Sequence, residues 1–250
     1  MSERMSAALA RATLSRGLAL RAIREAAALP ATDEIRFFRG AGTSIKALGR
    51  AAQKMIRRPD IVYAKVRGSV DAPVLVSISR TAGRDILEKR SGNANAEHAC
   101  DLITYYSIIF DPRTQRLAWC HLPVLAHALQ RWAERGIGDP REALLAQLDA
   151  EVIRILTLGD ILDRALEHAS RRGPTDARTT FGVPADGGIW VAATHGERNS
   201  NGRMSNGLSL RTFLGEAEMN EERRAYRAVA LSQDIVAAER QWPEAFTSGH

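Results

Sequence analysis

The sequence predicts an α+β fold, on three observations. Runs that alternate apolar and polar residues lie close together (IVYAKVRGSV at 61–70, VLVSISR at 74–80, LITYYSIIF at 102–110). Stretches rich in Ala, Leu and Arg stand before and after them, at helical spacing. Short turn sequences separate neighbouring strand candidates, which favours antiparallel pairing over regular βαβ alternation. The chain divides into a basic helical segment, 1–58, and an α+β core, 59–250, that ends in a helix.

In order along the chain, residues 4–28 read as a helix stopped by Pro30, and IRFF (35–38) as a short apolar stretch. A second basic helix covers Ser44 to Arg58, capped by Thr43 or Ser44 and closed by Pro59. Asp71-Ala72-Pro73 turns the first two strands. TAGRDILEKR (81–90) reads as a short helix and SGNANAEH (91–98) as a loop. LITYYSIIF and RLAWCHL form a hairpin around Asp111-Pro112-Arg113-Thr114, where Pro suits the second position of a type I turn. Pro123–Arg135 and Pro140–Arg172 are helical, the latter broken near 157–160. The stretch 171–188 lacks periodicity and reads as a long surface loop. IWVAAT (189–194) and LSLRTFLG (208–215) are strands, linked by about thirteen residues, and Glu216–Gln241 is a charged terminal helix.

Charge is unevenly placed. Residues 1–58 hold twelve Lys/Arg against four acids, a net +8, whereas the whole chain is +6, so the other 192 residues sum to −2. A local field of this sign concentrates polyanions, of which nucleic acid is the commonest inside cells. Arg16, Arg21, Arg24, Arg36, Arg39, Lys54, Arg57 and Arg58 are the backbone-binding candidates. No apolar run approaches the ~18 residues of a membrane span, so no membrane partner is expected. Two cysteines give no disulfide framework, which points to a reducing, cytoplasmic compartment.

The link His195–Gly207 is the sharpest local feature. It carries Arg198, Asn199, Asn201, Arg203 and Ser205 among glycines, a composition suited to phosphates and base edges. Arg211 follows in the next strand. His98, Cys100, Cys120 and His121 lack zinc-pair spacing, and Cys120 and His121 would point to opposite faces of one strand. No metal and no cofactor is expected. FFRGAGTS (37–44), VSISR (76–80) and Glu216-x-Glu218 are similar to the motifs of ADP-ribosyltransferases, which makes a transferase a third class of function.

GRMSNGLSLRTFLG (202–215), a glycine- and serine-bearing loop feeding a late strand, resembles the CRISPR repeat-RNA-processing endoribonucleases. The likeness covers about 15 to 25 residues. It implies a ferredoxin- or RRM-like core. It also implies metal-independent cleavage of a structured, stem-loop RNA to a 2′,3′-cyclic phosphate, with the product retained and other ribonucleoprotein subunits as partners. Family members often begin with a strand and carry an early His. This chain begins with a basic helix, and its first His is His98. On the resemblance, Arg24, Arg39 and His195 would carry proton transfer and phosphorane stabilisation. The alternative is a non-enzymatic nucleic-acid-binding regulator of plasmid or phage type.

Overall fold

A computed structural model describes residues 3–30, 33–87, 98–135, 142–157, 180–198, 204–231, 235–242 and 245. The N-terminal helices are α1 (Glu3–Ala27), α2 (Ile35–Arg39) and α3 (Ile45–Met55). Strands β1 (Ile61–Gly68), β2 (Pro73–Leu87), β3 (His98–Asp111) and β4 (Arg116–Leu125) follow, then α4 (Ala126–Glu134) and α5 (Leu144–Thr157). β5 (Thr180–Ala185), β6 (Gly188–Arg198) and β7 (Met204–Gly215) precede a short 3₁₀ turn (Glu216–Glu218), α6 (Glu221–Leu231) and α7 (Ile235–Gln241). The α+β class is therefore observed.

The strands form one seven-stranded sheet in the order β1-β2-β3-β4-β7-β6-β5. Each half is an antiparallel meander. The halves meet at β4 and β7, which run parallel and register at Val124↔Leu210. The order β1-β2-β3-β4-β7-β6-β5, with β1 to β4 paired antiparallel in sequence order, differs from the βαββαβ unit of a ferredoxin-like core. That finer expectation finds no support in this topology.

Helices cover both faces. Ile78, Ile103, Tyr105, Leu122, Val124, Trp190, Leu210 and Phe213 face α1, α4 and α5 in the main core. On the opposite face, Phe38, Leu48, Ala52 and Met55 of α2–α3 pack on Ile61, Leu75 and Phe110. Farther along that second face, Tyr226, Ala230 and Ile235 of α6–α7 pack on Ile189, Val191 and Leu214. The sequence dictates these contacts locally. In α3 the buried residues Leu48, Ala51, Ala52 and Met55 recur at i, i+3, i+4 and i+7, and Ser44 Oγ accepts the Ala47 N–H at 3.2 Å as an N-cap. In α1 the buried stripe is Ser15, Ala19, Ala22, Ile23 and Ala26. The basic segment thus shares its core with the rest of the chain.

Several expectations are corrected. IRFF forms α2. TAGRDIL extends β2 instead of forming a helix, because β3 offers a continuous run of partners from Thr81↔Thr104 to Leu87↔His98. Ladder pairing overrides a modest helix propensity that Gly83 already weakens. Pro123–Leu125 belong to β4, so α4 starts at Ala126. The loop expected at 171–188 contains β5, which closes on β6 through Asp186-Gly187 with Gly187 at φ 66°. Pro184 is tolerated there because β5 is an edge strand. The thirteen-residue link shortens too: β6 and β7 pair from Gly188↔Gly215 to Arg198↔Met204, which leaves 199–203 between them. The terminal helix is three pieces, the 3₁₀ turn, α6 and α7. Residues 88–97, 158–179 and 199–203 lie outside the described part.

Candidate nucleic-acid interface

Strand alternation fixes what the second sheet face displays. Phe110, Ile108, Tyr106 and Thr104 of β3 register with Leu117, Trp119, His121 and Pro123 of β4. The α2–α3 pair covers Phe110, with the Phe38 ring 5.3 Å from it. Beyond that contact the face opens, since Leu117 is 42% exposed, Trp119 51% and Tyr106 38%. Trp119 and His121 lie ring on ring, 5.9 Å apart at 27°, and Tyr106 lies 6.4 Å from His121. An open aromatic row thus runs beside α2–α3.

That helical pair is cationic. Arg36, Arg39, Lys46, Arg50, Lys54, Arg57 and Arg58 are all exposed, and α3 contains no acid. Arg36 pairs with Asp33 at 2.9 Å. Beneath α2 the Glu34 carboxylate accepts the Ser77 hydroxyl, and Ser79, also hydrogen-bonded to Glu34, is the cross-strand neighbour of Tyr106. Burial pushes Glu34 above the usual carboxylate range, opposed by the two serine hydroxyls and assisted by nearby Asp60.

The sequence-predicted residues divide into groups. Arg36, Arg39, Lys54, Arg57 and Arg58 are exposed on α2, on α3 and in the turn after it, a helical pair that packs on the second sheet face. Arg16, Arg21 and Arg24 are exposed on α1, which covers the opposite face. Arg21 is tied to Glu25 at 2.8 Å, and the Arg24 Nε donates to the Leu20 carbonyl at 3.3 Å; both line a shallow depression with Gly17. His195 lies in β6 opposite Gly207, Arg198 opposite Met204 and Ser205 opposite Glu197, their side chains outside the description. Asn199, Asn201 and Arg203 are outside it entirely. Arg211 is the extra residue of a bulge between Val191↔Thr212 and Ala192↔Leu210, and its Nε donates to Ser209 Oγ at 2.9 Å.

Arg24, Arg39 and His195 are therefore not brought together. Arg24 and Arg39 belong to helices on opposite faces, and β6 is four strand spacings, ~19 Å, from β2. The transferase motifs are also engaged elsewhere. Arg80 pairs with Asp149 in the main core, Glu216 takes Arg227 at 2.7 Å, and Glu218 takes Arg135 and Arg131. Cys120 and His121 register with Ser107 and Tyr106 and so project to opposite faces.

Sequence reasoning missed Tyr106 and Trp119, and weighed His121 only as a zinc ligand. Their signal lay in one strand: LAWCHL puts Leu117, Trp119 and His121 in one phase and Cys120 and Leu122 in the other. An exposed phase carrying Trp and His is unusual for a merely solvated face. Comparison with family models, curated proteins and solved structures finds no match for this chain.

Proposed function

We propose that this protein binds RNA across α2–α3 and the sheet face beside them. One observation carries the reading: an acid-free basic helix, α3, packs on the same sheet face whose β3–β4 part carries the open aromatic row. Cations there would hold phosphates while the sheet meets bases, the division of labour of RNA-binding sheets. Replacing Arg50, Lys54, Arg57 and Arg58 by Ala should weaken RNA binding and flatten its log K against log salt slope by about 0.7 per lost single-strand contact. Replacing Arg16, Arg21 and Arg24, on the other face, should change the slope less. The reverse ranking, or no change in either set, defeats the proposal.

The enzymatic form adds metal-independent cleavage of a repeat-like RNA, with the 2′-OH before the scissile phosphate as nucleophile. Of the residues first assigned to that chemistry, Arg39 is the one on the proposed binding side. Cleavage that survives EDTA, stops on a single 2′-deoxy substitution and slows in Arg39→Ala supports the nuclease. Binding without cleavage supports the non-enzymatic alternative, and tighter binding of a DNA operator supports a regulator of DNA.

A further inference from the structure

We infer that the row Trp119, His121 and Tyr106 is a stacking platform for unpaired bases, so that the RNA taken at this face is single-stranded over two or three nucleotides. The inference rests on the RNA-binding reading and adds which form of RNA the site accepts.

Three features converge. Trp119 and Tyr106 expose aromatic rings on an antiparallel sheet, where the backbone at Tyr106 is held by β2 and β4 and that at Trp119 by β3. Bases of any identity stack on such rings, because each base has a π-face. The spacing is the second feature. Trp119 and His121 are two residues apart on β4 with ring centroids 5.9 Å apart, wider than the roughly 3.4 Å rise per base within one strand of a duplex. Rings at that step suit bases that have been spread apart, one to a ring. A duplex hides its base faces in its own stack and offers this row only its sugar–phosphate rim.

Charge names the occupant. An apolar peptide or a second copy of this chain would cover the row equally well by shape. The same sheet face, however, carries α2–α3, which packs on Phe110 of β3, and there Arg39, Lys46, Arg50 and Lys54 are exposed without an acid in α3 to balance them. Another copy would bring the same cations to the same place. A polymer with a flat aromatic group and one negative charge per unit satisfies both the row and these cations.

Tryptophan emission makes the test direct. Trp119 is half exposed, whereas Trp132 and Trp190 are buried in the main core and Trp242 is partly buried against the α6–α7 cluster. The full chain is titrated with an oligouridylate and with a fully paired RNA duplex of equal length, at equal salt. We expect the oligouridylate to bind more tightly and to quench emission. Trp119→Ala should weaken it about 5- to 150-fold and abolish the quenching. Trp119→Phe should keep most of the affinity, because a ring remains, and Tyr106→Ala should lose part of it. If the duplex binds as tightly and Trp119→Ala binds the oligouridylate like the parent, the platform is refuted while phosphate binding by α3 stands. If neither RNA binds at all, the RNA-binding reading itself falls. Circular dichroism of each variant confirms that a loss reflects the missing ring and not a lost fold.

Discussion

Arg80 reaches from β2 to α5, where its guanidinium pairs with Asp149, and Tyr105 donates its hydroxyl to the same carboxylate at 2.8 Å. A second guanidinium nitrogen donates to the Pro59 carbonyl at 3.3 Å, while the Nε has no partner among the described residues. The two charged side chains are 11% and 16% exposed, so removing one leaves the other charged in a poorly solvated place. Arg80→Met should cost about 3 kcal/mol or more. Adding Asp149→Asn should recover part of that loss, since Asn removes the stranded charge and still accepts from Tyr105. Urea titrations of the two variants check the ranking. Glu34 shows the same physics without an ion pair. Its raised pKa means that its contribution to stability is complete below the unfolded value, about 4.3, and is lost as pH rises through the folded one. Glu34→Gln keeps an acceptor for Ser77 and carries no charge to bury. Stability measured from about pH 4 to 7 should therefore fall less steeply in Glu34→Gln than in the parent. A parallel pair of curves would mean that Glu34 ionises freely in the folded protein.

At the scale of elements, α3 shows how much a cap contributes. Its first turn is fixed by the Ser44 hydroxyl, so Ser44→Ala should lower stability by about 1 kcal/mol, read as a lower Tm, with no loss of a cation from α3. The same helix was legible in advance because cap, apolar spacing and closing proline agree. The β3–β4 hairpin was legible for a like reason. Asp111 accepts the Arg113 N–H at 2.9 Å and the Thr114 hydroxyl at 3.0 Å, a turn that Asp-Pro-Arg-Thr specifies by itself. What stayed hidden depends on partners distant in sequence. TAGRDIL is a strand only because β3 lies beside it. TFGVPA looks like a loop until α6 supplies the Tyr226 hydroxyl to the Gly182 carbonyl at 2.9 Å. The basic segment looked like one surface, because charge counting cannot say that α1 and α3 settle on opposite faces of a sheet. The aromatic row was visible as residues, and its standing as a surface depends on which described helices pack over β3 and β4, which the sequence does not state.

For the whole molecule, the open question is what binds two meanders that register at a single parallel pair. The main core answers it: Trp190 of β6 lies 5.5 Å from Trp132 of α4 and 4.9 Å from Phe213 of β7, and the same cluster holds Ile78 and Ile103 from the other half. Helix α1 joins that cluster through Ala19, Ala22, Ile23 and Ala26. Small side chains let it lie close to the layer beneath, so each position tolerates little added volume and no charge. Ala22, 2% exposed, is the point to test. Ala22→Asp should lower the urea midpoint substantially, since a carboxylate placed there has no described cation as a hydrogen-bonded partner. The decisive observable is coincidence of probes. Far-ultraviolet dichroism reports helix and sheet together, whereas emission, read in a Trp119→Phe and Trp242→Phe background, reports Trp132 and Trp190 within the shared core. If α1 is integral, both signals shift to the same lower midpoint in one transition. If α1 is an appendage, the variant loses helical signal early while the tryptophans keep the parent's midpoint, and residues 59–250 then hold their core without the basic segment.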